Sequence, residues 1–236
     1  MATQKIRRCA PLLTTFAAAL IASGLLVGSL AAGAGASSAP NRAQAEKKLL
    51  VLSDMPKGWT KSKESSSSQP FPDPSTLAKC LGVPTRSVSY TAPSVNSPEF
   101  DSKDNAQSVN DSVSTYPSSK AARIDFAFYR SPKTPSCFTT YLNGPGRGLF
   151  TSGAPAGSSV GSILVSRAPA SDFAPHTANL IVFIPEVIKG TTINLQLTLV
   201  DYVKGQEEQT VSLTSADSPF SASLSRHLTD LAVASL

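Results

Sequence analysis

The sequence predicts the α+β fold class: an antiparallel β-meander sheet packed against helices on one face, with one disulfide. The first observation is a stretch near the C-terminus in which apolar and polar residues alternate, as in a sheet with one dry and one wet face. The second is a closing segment whose apolar residues have helical spacing. The third is a pair of cysteines far apart in the chain. Strands and helices do not alternate as a parallel doubly wound sheet requires.

The C-terminal third of the chain contains the predicted meander. The short turn sequences VIKGTT and VKGQEE join neighbouring strands, as expected for antiparallel hairpins. Two more polar strands are predicted upstream of it, in 87–95 and 105–116. The four strands of the meander are SILVSRA, ANLIVFIPEV, TTINLQLTLVDYV and QTVSLTS. In the third of these, Ile193, Leu195, Leu197 and Leu199 form the predicted dry face, and Asn194, Gln196, Thr198 and Val200 form the opposite face.

Helices are predicted between and after these strands. A short helix at the start of the domain is ended by Met55-Pro56, because the residue before a proline avoids the helical region. Ser118 or Ser119 is the predicted N-cap of a helix in 118–131, along which Ala121, Ala122, Ile124, Phe126 and Phe128 are placed. Segments 76–82 and 134–144 predict shorter helices. The closing helix carries a stripe of Phe220, Leu224, Leu228 and Leu231, which we expect to cover the dry face.

Residues 1–36 have the features of a secretory signal. A basic start precedes an apolar run from Leu12 to Leu30, and the sequence AGA before Ser37 fits signal peptidase. The alternative is an uncleaved anchor, because the run approaches the length of a membrane span. With cleavage no membrane span is expected. We then expect residues 37–236 to form a single secreted α+β domain, with mobile loops near 61–75 and 144–161.

Charge and cysteine content narrow the function classes. Three of the 21 basic and none of the 16 acidic residues lie in the signal, which leaves 18 basic against 16 acidic residues. No basic cluster remains that would neutralise several phosphates, so nucleic-acid binding is not expected. Export favours a disulfide between Cys80 and Cys137, worth about 3 to 5 kcal/mol in the chain-entropy model. We expect no metal site, since only His176 and His227 could join these cysteines.

Catalytic motifs are weak, and we predict no catalytic residues and no cofactor. The GSSVG sequence places Ser159 in the pattern of a hydrolase nucleophile, with His176 or His227 as base and Asp172 or Asp201 as acid. A strand follows it, however, where that motif requires a helix. The glycine-rich segment 143–150 follows a helix and contains Pro145, so a flexible connector is expected there and not a phosphate cradle. Asp125, Glu186 and Asp201 are expected to be solvated surface acids and not a glycosidase pair.

Trp59, the only tryptophan, follows a helix-ending Pro-x-Gly turn. We expect it first to cover the core. Its second predicted role is to line a ligand cleft between sheet and helices. The cleft residues of that hypothesis are Trp59, Phe71, Tyr90 and Phe100.

Several motifs together carry a family resemblance. The opening LLVLSDMPKGW, the KCLGVP segment with its cysteine, and ARIDFAFYRSPKTPSC with the second cysteine precede a polar β meander and a closing helix. This combination resembles secreted actinobacterial proteins related to the extracellular sensor domains of PknH-type receptor kinases and to Mog1/PsbP-like envelope lipoproteins. The resemblance implies an antiparallel sheet flanked by helices, a cleft for an envelope ligand and no catalytic residues. The chain departs from those sensors in having one candidate disulfide, no kinase domain and no lipobox.

The sequence therefore predicts an exported, non-catalytic binding domain of the cell envelope or extracellular space. One hypothesis is a small apolar or envelope-derived ligand, such as a lipid, held between sheet and helices. The other is an envelope protein bound through the polar sheet face that includes Asn194, Gln196 and Thr198.

Overall fold

A computed structural model of the chain describes residues 39–62, 72–89, 92–151 and 157–236. The predicted signal in 1–36, most of the 61–75 loop, Phe71 and Tyr90 lie outside the described residues. The helices are α1 (Ala39–Glu46), α2 (Pro74–Leu81), α3 (Thr85–Ser89), α4 (Ser119–Arg130), α5 (Thr134–Asn143), α6 (Gly148–Thr151) and α7 (Ala222–Ser235). The strands are β1 (Thr60–Lys61), β2 (Ser94–Asn96), β3 (Phe100–Asp101), β4 (Gln107–Thr115), β5 (Ser158–Val160), β6 (Leu164–Ser166), β7 (Ala178–Ile188), β8 (Thr191–Lys204) and β9 (Glu207–Ala216).

These nine strands form one antiparallel sheet in the order β1-β3-β4-β9-β8-β7-β5, with β2 paired to β4 and β6 paired to β7. The long strands β7, β8 and β9 are consecutive, which confirms the predicted meander. Lys189 and Gly190 both have positive φ in the two-residue turn between β7 and β8, the conformation that a tight hairpin requires. The predicted α+β class is therefore confirmed. One predicted strand is wrong at its start, because Thr85–Ser89 forms α3 directly after Pro84.

The front face of the sheet is the side on which Leu195, Leu197 and Leu199 of β8 point. Helices α2 and α5 pack on it, and their residues share one core with these leucines. Cys80 of α2 is bonded to Cys137 of α5, as predicted. The segment expected to be a mobile loop in 144–161 is structured where it is described: it forms a 3-10 turn and α6, whose Leu149 and Phe150 are buried.

The back face is the side on which Val200 of β8 points, and α7 packs there. Leu228 and Ala232 of α7 share a core with Val200 and with Val211 of β9. The prediction that the closing helix covers the same dry face as the other helices is therefore wrong. The reason lies in β9 and β4, where the apolar residues Val211, Leu213, Val109 and Val113 point to the back. The dry side of the sheet thus changes from front to back between β8 and its neighbour β9.

Candidate functional site

Trp59 covers the core of the back face. Its ring lies 6.2 Å from that of Phe220, and both rings pack against the cluster that contains Leu228. This is the first of the two roles predicted for Trp59. Phe100 lies in the same cluster and is only 1% exposed, so it is buried below the surface. Because Phe71 and Tyr90 lie outside the described residues, the four-residue cleft stays a prediction.

The described side chains between the front face and its helices are packed against one another. Tyr141 and Leu142 of α5 and Leu197 of β8 are all at most 1% exposed and belong to one cluster. Gly146 lies so close to Tyr141 that an added Cβ would come within 2.5 Å of the ring. The small apolar or envelope-derived ligand expected between sheet and helices stays a prediction.

Two residues of the serine hydrolase hypothesis, Ser159 and Asp201, are far apart. Ser159 lies opposite Val187 of β7, whereas Asp201 lies opposite Ala178 of the same strand. Nine residues of extended strand separate these positions, which corresponds to roughly 30 Å at about 3.4 Å per residue. His176 and His227 are both exposed, in a turn and on α7 respectively. The fold therefore does not assemble Ser159 and Asp201 into a triad.

Within the described ranges, no helix covers the part of the back face formed by β6, β7 and β8 around Leu164 and Phe183. Leu164 of β6 is paired with Phe183 of β7, which is paired in turn with Gln196 of β8. Partners across strands point to the same side, so the three side chains form a row. Leu164 is 55% exposed and Phe183 is 37% exposed, although both are large and apolar. We call the surface formed by Leu164, Ile181, Phe183, Asn194 and Gln196 the open face.

The open face is uncharged, and hydrogen bonds hold the backbone of Asn194 and the side chain of Gln196. None of its five residues carries a charge. Asn194 is exposed, and its backbone N–H donates to Asp217 Oδ1 at 2.9 Å. The amide of Gln196 donates to Thr198 Oγ1 at 3.2 Å, and Thr198 itself is buried. Of the polar strand residues named in the sequence, Asn194 and Gln196 thus reach the surface and Thr198 does not.

Helix α5 seals the edge of the sheet beside the open face. Asn143 accepts from the backbone N–H of Ile163 at 2.9 Å and donates to its carbonyl at 2.7 Å. Thr139 Oγ1 accepts from the N–H of Val165 in β6 at 2.9 Å. A free strand edge is a template for pairing with another chain, and these bonds occupy it. The surface left for a partner here is the side-chain face, and the backbone edge at these positions is occupied.

A second group of polar residues is buried under α4, on the front face. Asp201 of β8 is 0% exposed and Glu208 of β9 is 3% exposed. The hydroxyl of Tyr116 lies 2.6 Å from Glu208 Oε2 and 2.9 Å from Asp125 Oδ2 of α4. We call Tyr116, Asp125, Asp201 and Glu208 the acid cluster. The expectation that Asp125 and Asp201 are solvated surface acids is wrong, because α4 closes over the part of the front face where the apolar stripe ends.

Burial governs the protonation of the acid cluster. It raises the pKa of Asp201 to about 7, with repulsion from Asp125 adding to the shift, although the hydrogen bond from Thr210 opposes it. Burial also raises the pKa of Glu208 well above its usual range, and the negative charges of Asp125 and Asp201 add to this. One carboxylate oxygen of Asp201 and one of Glu208 are buried without a hydrogen-bond partner. Asp201 and Glu208 are therefore inaccessible to a substrate in this structure.

Arg167 supplies a positive charge near the acid cluster. Its guanidinium donates to the carbonyl oxygens of Asn179 at 2.8 Å and Ser131 at 3.0 Å, and also to that of Tyr129. Its charge opposes the rise in the pKa of Asp201. Across the described ranges, no group of three or more His, Cys, Asp or Glu side chains has the geometry of a metal site. Within the same ranges, no helix is both long and apolar enough to cross a bilayer.

No family model and no curated protein matches this chain. Among solved structures, the chain is similar to the extracellular domain of PknH from Mycobacterium tuberculosis, with 12% sequence identity and a TM-score of 0.40. The alignment covers 82% of this chain and 96% of that domain. The likeness is distant, so the functional proposals below rest only on this chain's own residues. The resemblance to Mog1/PsbP-like lipoproteins stays a prediction.

Proposed function

We propose that this chain is an exported, non-catalytic binding domain that docks a protein partner on its open face. The signal-like segment 1–36 and the disulfide between Cys80 and Cys137 support export. The observation that carries the binding role is the exposed cross-strand pair of Leu164 and Phe183. Exposure of two large apolar side chains at neighbouring positions to water is unfavourable. A partner that covers them removes this free-energy cost.

The chemistry of the open face favours one kind of partner surface. Asn194 and Gln196 beside the apolar pair offer both donors and acceptors, and no charge has to be neutralised. An aromatic residue near the centre of a patch with polar groups at its rim is the usual anatomy of a protein interface. We therefore expect the partner to present an apolar side chain surrounded by neutral hydrogen-bonding groups.

Photocrosslinking tests this proposal. Phe183 is replaced by the photoreactive residue p-benzoylphenylalanine, and the chain is illuminated in the cells that export it. The control places the same residue at Ile124, which is 52% exposed on α4, on the opposite side of the sheet. We expect a discrete crosslinked product, identified by mass spectrometry, from position 183 and not from position 124. The same products from both positions, or no product from position 183, would contradict the proposal.

A substitution at the other half of the pair makes the test quantitative. Leu164→Ser removes apolar contact area without disturbing a buried residue, so we expect little change in stability. Loss of a central interface side chain typically costs more than 1 kcal/mol. The yield of the crosslink from position 183 should therefore fall about tenfold. An unchanged yield would show that the crosslink does not report docking on the open face.

A further inference from the structure

The acid cluster holds at least one proton that ordinary carboxylates would not hold at neutral pH. A tyrosine hydroxyl has a single proton and can donate it to one acceptor. The hydroxyl of Tyr116 nevertheless lies within 2.9 Å of oxygens from both Asp125 and Glu208. Both contacts are hydrogen bonds only if one of these carboxyl groups is protonated and donates.

The same cluster connects α4 to the sheet. Asp125 belongs to α4, Glu208 to β9 and Asp201 to β8, while Tyr116 follows β4. Helix α4 has only one fully buried residue, Ala122, at 0% exposure. Phe128 and Tyr129 pack against the front core nearer the C-terminal end of the helix, whereas the contact of Asp125 with Tyr116 joins the middle of the helix to the sheet. The C-terminal end of the helix is held separately, because Arg167 donates to the carbonyl oxygens of Tyr129 and Ser131.

The charged groups that face α4 explain what deprotonation does. Asp201 and Glu208 approach from the sheet, and Arg167 approaches from the segment after β6. On the helix itself, Asp125 and Tyr129 face the cluster, and Arg130 adds a charge near Arg167. The donors of Arg167 are directed at backbone carbonyls. Loss of the protons would leave three carboxylates opposed by this one nearby cation, in a site where water cannot screen them.

We propose that α4 is a proton-dependent latch, which is closed on the front face while the Asp125–Glu208 pair holds its proton and is released when the cluster is fully ionised. On release, the buried carboxylates, which repel one another, become exposed to water. The front face of β8 near Asp201 and of β9 near Glu208 is then uncovered. The N-terminal turns of α4 move, while Arg167 retains the C-terminal end. The domain thereby senses the pH of the medium outside the cell. This latch lies on the front face and is independent of the open face on the back.

Hydrogen exchange measured by mass spectrometry tests the latch. The purified chain is compared at pH 5.5 and pH 8.5, after correction for the intrinsic pH dependence of exchange. Peptides from Ser119–Arg130 should lose protection by at least about tenfold at the higher pH, whereas peptides from α7 serve as the reference helix. Equal protection of α4 at both pH values would overturn the proposal. So would a loss of protection that α7 shares to the same extent.

Two variants assign the effect to the pair. In Glu208→Gln the side chain keeps its shape and donates without a titratable proton, so α4 should stay protected at pH 8.5. The matched control is Glu207→Gln, the adjacent residue of β9, which points to the other face and pairs with Lys48. The control should retain the full pH response. If Glu208→Gln does not fold, the same exchange measurement on Asp125→Asn replaces it. A pH-dependent loss of α4 protection that persists in these cluster variants would overturn the latch.

Discussion

At the scale of single residues, Gly146 shows how closely the front core is packed. A Cβ atom on Gly146 would lie 2.5 Å from Cε1 and 2.8 Å from Cδ1 of Tyr141, which is itself 1% exposed. Tyr141 has little freedom to move, because its hydroxyl donates to the carbonyl of Pro72. The lack of a side chain at position 146 therefore allows Tyr141 of α5 to pack in its observed place.

We expect Gly146→Ala to lower the free energy of unfolding by about 1 to 3 kcal/mol, because overpacking forces the ring or the backbone to shift. Gly148→Ala is the matched control, since it lies two residues away, has helical dihedral angles and has no atom within 4 Å of an added Cβ. Urea unfolding of both variants measures the difference. A loss in Gly146→Ala no larger than in Gly148→Ala would refute this account of the packing.

The residue scale also shows where prediction from sequence stops. Ser118 was predicted as one of two N-caps for α4, and its hydroxyl does accept from the N–H of Ala121. That signal is local. Asp125 and Asp201 looked like surface acids because nothing near them in sequence shows that they meet Glu208 across three elements. Burial of a carboxyl group depends on tertiary contacts, which a local pattern does not contain.

At the scale of elements, the disulfide joins two helices that share one core. Cys137 is buried in α5, whereas Cys80 lies on the exposed side of α2, and the two are 57 residues apart in sequence. Ala78, two residues before Cys80, is 1% exposed and packs in the front core. The bond therefore fixes α2 beside α5 without supplying much of the buried surface itself.

We expect the double variant Cys80→Ser/Cys137→Ser to lose about 3 to 5 kcal/mol of unfolding free energy, since it restores the freedom of a long loop in the unfolded chain. Urea unfolding of the oxidised chain, the reduced chain and the variant measures the loss. The reduced wild-type chain is the control and should unfold like the variant. A loss below about 1 kcal/mol in both would show that helix packing alone holds α2 in place.

At this scale, the sequence predicted the hairpin turns. It did not predict which face of each strand is covered by helices. The sequences around Lys189-Gly190 and Gly205 predicted both turns of the meander, because a turn is a local conformation. Phe183 lies in a run of apolar residues that is typical of a strand buried on both sides. Its exposure depends on where α7 ends its coverage of the back face. Of the five residues of the open face, only Asn194 and Gln196 were therefore indicated by the sequence as part of a binding surface.

At the scale of the whole molecule, the two proposed activities lie on opposite sides of β8. Gln196 points into the open face at the back, whereas Asp201, five residues further, points into the acid cluster at the front. The apolar stripe changes side between β8 and β9, so each side of the sheet has one region that the apolar core does not fill. A polar cluster fills the front region beneath α4, and the back region stays open. Changes at Phe183 should thus leave the pH response intact.

Stability of the whole domain should fall as pH rises from 5 to 8. Burial raises the pKa of Asp111 to about 6 and that of Glu99 to about 7, as it raises that of Asp201 to about 7. The unfolded chain releases these protons near pH 4, whereas the folded chain still holds part of them until the pH has risen past 7, so from pH 4 to about pH 8 the folded state binds more protons than the unfolded state. The free energy of unfolding then decreases with increasing pH across that interval.

Asp111 provides the decisive variant for this last prediction. Its carboxylate accepts from the N–H of Leu50 at 3.2 Å and from the amide of Gln209 at 2.7 Å, and it is 2% exposed on the back face. Urea unfolding followed by the fluorescence of Trp59, which also lies on the back, should show a loss of at least about 2 kcal/mol between pH 5 and pH 8. Asp111→Asn removes one titrating group and should reduce this slope, whereas Asp230→Asn, on the exposed side of α7, should not. Equal or greater stability at pH 8 would mean that the buried carboxyl groups relax toward water when they ionise, and that the folded state does not hold their protons.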